Sequence, residues 1–521
     1  MKIRVILLVF ASLAVLAASG QYQNVSVGCA YSPNEPSIMI NPANPDIVVA
    51  GANTEIFYYS SDGGLTWEEG YLSSSYGVWG DPCIIVDTAG AFYYFHLSNP
   101  PGGNWIDRIV CQKSTDNGAT WNDGTYMGLN GDKAQDKEWA VVDPATNNIY
   151  VAWTQFDSYG STAPGDSSVI MFSRSVDAGN TWSPATRISK EGGDCLDSDN
   201  TVEGAVPAVG PEGQVYVAWA GPDGLIFTRS DDQGVSWPSE NKHVTDIPDG
   251  WDYAIPGIYR ANGLPVTCCD LSNGPYRGSV YINWSDQRNG PTDTDVFFVR
   301  STDGGDTWSE PVRVNDDAPG KQQFFTWMTV DQANGDIYII FYDRREHTNN
   351  LTDVYMAVSR DGGATFENRR ISATSFYPNS SLFFGDYTNI SAFNGRVRPV
   401  WLHMELPNPG MCIYTAIIDS VYTGVTEPPA VPYSITLDQN YPNPASLTTS
   451  IAYKIHTATT VTLQVRDIYG KVVATLADHA YRRPGKYIET FDVAAAGLAP
   501  GFYYYSLVSG EQSVNRKMVV E

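Results

Sequence analysis

Past its first twenty residues the chain has no apolar run approaching the length of a membrane span, so no transmembrane helix is expected. Positive charge is scarce: 32 Lys and Arg stand against 58 Asp and Glu, a formal net charge of −26. Nucleic acid and anionic lipid would be repelled over most of such a surface, and a polyanionic glycan would need a local basic patch. Long helical periodicity is also missing, which with 47 Gly, 32 Tyr and 14 Trp suits an all-β protein. No Cys-x-x-Cys pair or histidine cluster suggests zinc, and no cofactor is expected.

Met1 to Gly20 carries Lys2 and Arg4 ahead of an apolar run from Val5 to Ala18, the pattern of a cleaved secretory signal peptide (residues 1–20). Export permits disulfides, but seven cysteines leave at least one unpaired. Cys29 and Cys412 lie near the two ends of the large N-terminal region, so a Cys29–Cys412 bridge would lock its termini together. Cys268 and Cys269 are adjacent, with Cys195 a possible partner for one of them.

Six copies of Ser-x-Asp-x-Gly-x-Thr-Trp, with small variations, begin at Ser60, Ser114, Ser175, Ser230, Ser301 and Ser359. Their spacing of 54 to 71 residues is that of propeller blades, small sheets that must stack on neighbours to bury their faces. The aspartate can accept hydrogen bonds from nearby N–H and hydroxyl groups, and the glycine supplies a positive φ. The closing Trp, or Phe366 in the last copy, fills apolar space between blades. These aspartates are therefore structural.

The six motifs resemble the Asp boxes (BNR repeats) of the sialidase superfamily. The resemblance implies a sialidase-like β-propeller over residues 21–422. Counting strand pairs such as WAVVDPATNNIYVAWTQ gives seven blades, with six as the alternative, and the seventh would take its outer strand from Asn24 to Ala30. A Pro-rich linker follows at 423–434, and alternation then restarts without Asp boxes as a small Ig-like β-sandwich over 435–521. That tail, with YPNP at Tyr441, GLAPGFYYY at Gly497 and a terminal KMVV, resembles the C-terminal sorting domain of the type IX secretion system. Passage across an outer membrane, and secreted or surface localisation, are what this implies.

If every Asp box joins the third and fourth strands of its blade, the segments entering first strands and leaving second strands crowd the opposite face. The entering segments supply Glu35, Asp81, Asp136, Glu138, Trp139, Glu203, Tyr253, Asp386 and Tyr387. The leaving segments supply His96, Arg288, Arg344, Arg345 and His403. A ring of acids, cations and aromatics suits sugars, which need planar hydrogen-bond partners and stacking faces.

Sialidases use a Tyr nucleophile, an Asp acid/base and three arginines that hold the substrate carboxylate. This chain has Glu35-Pro36-Ser37-Ile38 where that family opens with Arg-Ile-Pro, which argues against cleavage of sialic acid itself. The leading expectation is a secreted glycoside hydrolase acting on an extracellular polysaccharide or glycoprotein glycan. Asp136, Glu138 and Glu203 are the first candidates for its acid and base, Asp81 and Asp386 the next, and Tyr387 the sialidase-like nucleophile. Arg288, Arg344, Arg345, Glu35, His96, Trp139, Tyr253 and His403 are the expected substrate-binding set. Two alternatives stand beside it: a polysaccharide lyase using His96, His403, Tyr387 and Arg344, and a glycan-binding adhesin without catalysis. Loops at Asp194-Asp197-Asp199 and Asp293-Asp295 have the oxygen donors calcium prefers.

Overall fold

The computed structural model describes residues 22–405, 410–419, 435–455, 458–467, 470–509 and 512–521. The expected signal peptide and Pro-rich linker fall outside them. The chain divides into two compact units between Val421 and Tyr422.

The N-terminal unit is built of seven four-stranded antiparallel sheets among the described residues. Six use consecutive strands, as in Ala134–Val142, Ile149–Phe156, Ser168–Ser175 and Thr186–Arg187. The seventh takes Asn389–Phe393, Arg396–Met404 and Met411–Asp419 and completes itself with Gln23–Gly28 from the other end of the unit. Cys29 and Cys412 form a disulfide at that junction. Cys195, Cys268 and Cys269 carry free thiols, so the pairing considered for them is not formed. The first strands of successive sheets lie against one another, and Asn389–Phe393 of the seventh lies against Ser37–Ile40 of the first.

Each Asp box joins the third strand of its sheet to the fourth. In all six the opening Ser hydroxyl donates to the Asp carboxylate at 2.7–2.8 Å. The Gly N–H donates back to that Ser at 2.8–2.9 Å. The Thr or Ser hydroxyl closes the turn on the second carboxylate oxygen. With their acceptors occupied this way, the box aspartates are held below the ordinary carboxylate range even where they face solvent, as at Asp232, near 2. The terminal aromatics pack on the preceding sheet: Trp182 on Phe95, Trp237 on Phe172, Trp308 on Phe227 and Phe366 on Phe298.

A second periodic device joins neighbouring sheets. The residue before the box Ser is Lys113, Arg174, Arg229 or Arg300 in four copies, and each donates to a backbone carbonyl in the box of the next sheet, at 2.9–3.5 Å. Buried Arg398 of the seventh sheet does the same to Gly63 of the first at 2.6 Å.

The C-terminal unit pairs a three-stranded sheet (Ile435–Leu437, Thr448–Ile455, Gly485–Asp492) with a four-stranded one (Val472–Arg482, Thr459–Arg466, Gly501–Ser509, Gln512–Val520). Strict alternation buries Ile451, Tyr453 and Ile455 from one sheet against Val461, Leu463, Tyr505 and Leu507 from the other, the pattern of a β-sandwich.

Candidate functional site

Three consecutive first-strand segments carry a charged residue in the left-handed backbone region, Glu35 (φ 50°) and Asp81 (φ 53°) just ahead of their strands and Lys137 (φ 52°) within Ala134–Val142. Each stands two residues ahead of a residue paired in its sheet, Ser37, Cys83 and Trp139. A bulge between Asp136 and Trp139 breaks the ladder where Lys137 turns. Left-handed backbone at a side-chain-bearing residue costs about 1–3 kcal/mol, a strain that recurs at functional sites. Here it brings the three charges together. Asp386 arrives from the seventh sheet behind Gly385, where an added Cβ would lie 2.8 Å from Glu35 Cγ, so only glycine lets the two segments meet.

Lys137 is the hub. Its buried Nζ lies 2.7 Å from Asp386 Oδ2, 3.1 Å from Asp81 Oδ2 and 3.8 Å from Glu35 Oε1. Arg260 comes from the loop beside the short ribbon Asp252–Tyr253/Ala261–Asn262 and clamps Asp386 through Nε at 2.8 Å and also through Nη2. Its Nη1 reaches Asp197 at 3.2 Å, and Asp197 accepts the Tyr159 hydroxyl at 2.6 Å. Asn53 bridges Glu35 and the Asp81 N–H, and the Asp386 N–H donates to Glu35 at 3.1 Å.

Burial and these partners divide the acids. For Asp386, desolvation works to raise the pKa, but Lys137 and Arg260 outweigh it and hold the group below the usual carboxylate range. Asp136 is pushed up to about 7, because burial and the nearby Asp81 and Asp197 charges overcome Lys137. Burial also raises Glu35, Glu138 and Glu203 well above ordinary values. Both carboxyl oxygens of Glu138, and both of Glu203, are buried without a hydrogen-bond partner among the described residues. For Glu203 the nearest help is Asp197, to which the protonated form can donate.

Above this floor opens a cleft of about 370 Å³ lined by Glu35, Asp81, Asp136, Lys137, Arg260 and Tyr159, with Tyr31, Trp79, Trp105 and Phe383 on its walls. Asp386 and Glu203 line a cavity of about 20 Å³ behind it, and Tyr387 lines another of similar size. The structure thus brings Glu35, Asp81, Asp136, Glu203 and Asp386 together.

Of the expected binding set only Glu35 lines the cleft, and the other seven, with Tyr387, are placed elsewhere. Arg288 is spent on Asp286 at 2.6 Å, and Arg345 on Asp343 at 2.8 Å. Buried Arg344 donates to Thr352 and the Pro256 carbonyl. His96 is buried between the Leu97 carbonyl and Gln112, and desolvation lowers it to about 4. His403 packs between Phe376 and Tyr414, and desolvation lowers its pKa. Tyr253 is buried on Ser285 and the Asn262 carbonyl. Trp139 lies beneath the floor, 4.2 Å from Trp327 and 5.0 Å from Tyr387. The Tyr387 hydroxyl is buried without a partner among the described residues, and burial keeps it a neutral phenol. None of these eight, nor Glu138, lines the cleft.

The sequence pattern carries no signal for Arg260, Asn53, Tyr159, Trp79 and Trp105, which sit in loops without periodicity; Lys137 stands with Asp136 and Glu138 among the polar residues expected on the entry side, but with no role assigned to it. Among the described residues no three His, Cys, Asp or Glu side chains are grouped to hold a metal ion. In the loops considered for calcium, Asp194 accepts Thr201 and Leu196 N–H, Asp199 accepts Asp252 N–H, and Asp295 accepts Arg313 and Asn315.

Residues 439–521 match the family described as the secretion system C-terminal sorting domain, and residues 58–69 match the BNR/Asp-box repeat. A curated relative, the xyloglucanase Xgh74A of Acetivibrio thermocellus, is 25% identical over 395 residues, covering 72% of this chain and 42% of its own length. The chain thus spans less than half of the curated relatives it matches. Solved structures similar in outline include a protein of unknown function from Dyadobacter fermentans (TM-score 0.44, 12% identity, 76% of this chain and 97% of that one). Another is the NanB sialidase of Streptococcus pneumoniae (TM-score 0.43, 8% identity, 71% and 83%). The chain is an Asp-box-bearing, all-β protein with a C-terminal secretion sorting domain.

Proposed function

We propose that this is an exported glycoside hydrolase whose seven sheets are the blades of a closed propeller and whose cleft cuts glycosidic bonds in an extracellular polysaccharide. Closure is supported by the contact of the seventh sheet with the first, by the Cys29–Cys412 bridge and by Arg398 reaching Gly63. The sorting domain supports delivery to the cell surface or beyond, with the secretion machinery as partner.

One observation carries the catalytic reading: Asp136, held protonated to about pH 7, shares a cleft with Asp81, a carboxylate paired to Lys137. A glycosidase needs this division, a proton donor for the leaving oxygen and a carboxylate to activate water or attack the sugar. Asp136 is the acid and Asp81 the second carboxylate. Lys137, held by three acids, positions Asp81.

The substrate is uncharged. Lys137 already faces Asp81, Asp386 and Glu35, and Arg260 faces Asp386 and Asp197, so neither cation is left to neutralise a sialate or uronate. A lyase also needs a free base, and His96 and His403 are both packed away from the cleft.

Incubation of the whole protein with neutral polysaccharides, xyloglucan and arabinan included, tests this reading. New reducing ends are expected, with loss of at least about 100-fold in Asp136→Asn and Asp81→Asn. Activity should fall as pH rises through about 7, where Asp136 gives up its proton. Full activity in both variants, or unsaturated products, refutes the assignment.

A further inference from the structure

Trp79 and Trp105 form a wall of the cleft yet remain 42% and 41% exposed, unusual for the largest apolar side chain. Their ring centroids are 6.2 Å apart and their planes perpendicular, 89°. Neither indole N–H has a hydrogen-bond partner among the described residues, so each offers a flat apolar face and a free donor.

The backbone on either side of both rings is fixed by hydrogen bonds. The Trp79 backbone N–H donates to the Leu97 carbonyl and the Leu97 backbone N–H to the Gly80 carbonyl, each at 3.0 Å. Trp105 precedes Ile106, whose N–H donates to Ser98 and whose carbonyl accepts from Gln135, at 2.9 and 2.7 Å. The Trp105 ring stands edge-on to Tyr159 at 5.5 Å. Tyr159 is in turn fixed by Asp197, and Asp197 by Arg260, so the platform is tied to the acidic floor.

We propose that Trp79 and Trp105 are a sugar-stacking subsite, binding rings of a neutral polysaccharide next to the ring presented to Asp136. Aromatic faces are sequence-tolerant partners for the C–H faces of sugars, and rigid rings lose little entropy on binding. The acid-rich floor disfavours a polyuronate as occupant, since among the described residues both cations lining the cleft, Lys137 and Arg260, are already paired with acids. The inference rests on reading the cleft as a glycan site, but it concerns binding and is tested apart from turnover.

The test uses the full-length protein with Asp136→Asn to prevent cleavage, titrated by calorimetry with cellohexaose, a hexameric xylan fragment, arabinohexaose and hexagalacturonate. At least one neutral hexamer should bind and hexagalacturonate should not. Trp79→Ala and Trp105→Ala should each weaken that hexamer about ten-fold or more, with the Phe replacements recovering most of the loss. Both positions are exposed, and an unchanged urea midpoint in each variant shows that the fold is intact. Wild-type affinity in both Ala variants, equal binding of hexagalacturonate, or no binding of any neutral hexamer overturns the proposal. Binding that needs the tryptophans, without reducing ends from the wild-type protein, overturns the hydrolase reading alone.

Discussion

Replacing Asp136 by Asn should abolish hydrolysis and at the same time stabilise the protein, and the size of the gain follows from the site. The unfolded chain releases this proton near pH 3.9 and the folded chain near 7. Between these values the folded state binds the extra proton, so stability falls as pH rises from about 4 to about 7 and is flat above. Three powers of ten in proton affinity correspond to about 4 kcal/mol. Relaxation around Lys137 and water in the cleft should reduce this to about 2 kcal/mol. Asn has no proton to lose, yet its side-chain oxygen can still accept the Lys137 N–H that Asp136 now accepts at 2.9 Å. The variant should therefore match the wild type at pH 4 and exceed it by about 2 kcal/mol at pH 8. Urea unfolding followed by tryptophan fluorescence is the assay, because all 14 tryptophans lie between Trp67 and Trp401 and report on the N-terminal unit alone. A variant less stable than the wild type at pH 8, or a gap that does not change with pH, would show that Asp136 is not held protonated by its surroundings.

Lys137→Met leaves Asp81, Asp386 and Glu35 crowded without their shared cation and should cost about 3–5 kcal/mol at neutral pH. The Asp386 part of that loss, belonging to a carboxylate with a depressed folded pKa, should fade as pH drops below about 4, read by urea midpoints across pH. Cys29→Ser with Cys412→Ser opens a link across 383 residues and should lower stability by about 2–5 kcal/mol, whereas reductant should leave the double variant unchanged. Asp303→Ala removes bonds to Ser301, the Thr307 N–H and the Thr307 hydroxyl, and should cost about 1–3 kcal/mol with turnover on a neutral polysaccharide unaltered.

What the sequence could tell depended on how far each interaction reaches along the chain. An Asp box completes its bonds within four residues, from Ser60 to Gly64 and from Asp62 to Thr66, so the motif is its own structure and can be read directly. The cations before the box serines, Lys113, Arg174, Arg229 and Arg300, repeat as regularly but bond 59 to 75 residues away. Their period was visible and their partner was not. Arg288 and Arg345 show the opposite case. Each follows an aspartate by two residues, Asp286 and Asp343, and that local pairing removes them from any shared site. The spacing Asp-x-Arg was the available warning.

The acids of the cleft were legible as a group because each stands in a segment that forms or leads into a first strand: Glu35 and Asp81 at a left-handed turn, Asp136 one residue before another at a bulge, and Asp386 one residue after Gly385. Which of them would carry charge was not legible, since that depends on Arg260, reaching in from a loop 123 residues from Lys137. Geometry then decides by distance. Asp81 and Asp386 lie within 3.1 Å of a cationic nitrogen, while Asp136 and Glu203 are buried without one and hold protons instead. A site with acids alone would have protonated throughout, and one with matched cations would have ionised throughout. Two cations among more than two acids leave a proton donor and a paired carboxylate side by side, and that imbalance is the physical basis for assigning acid–base chemistry to this cleft.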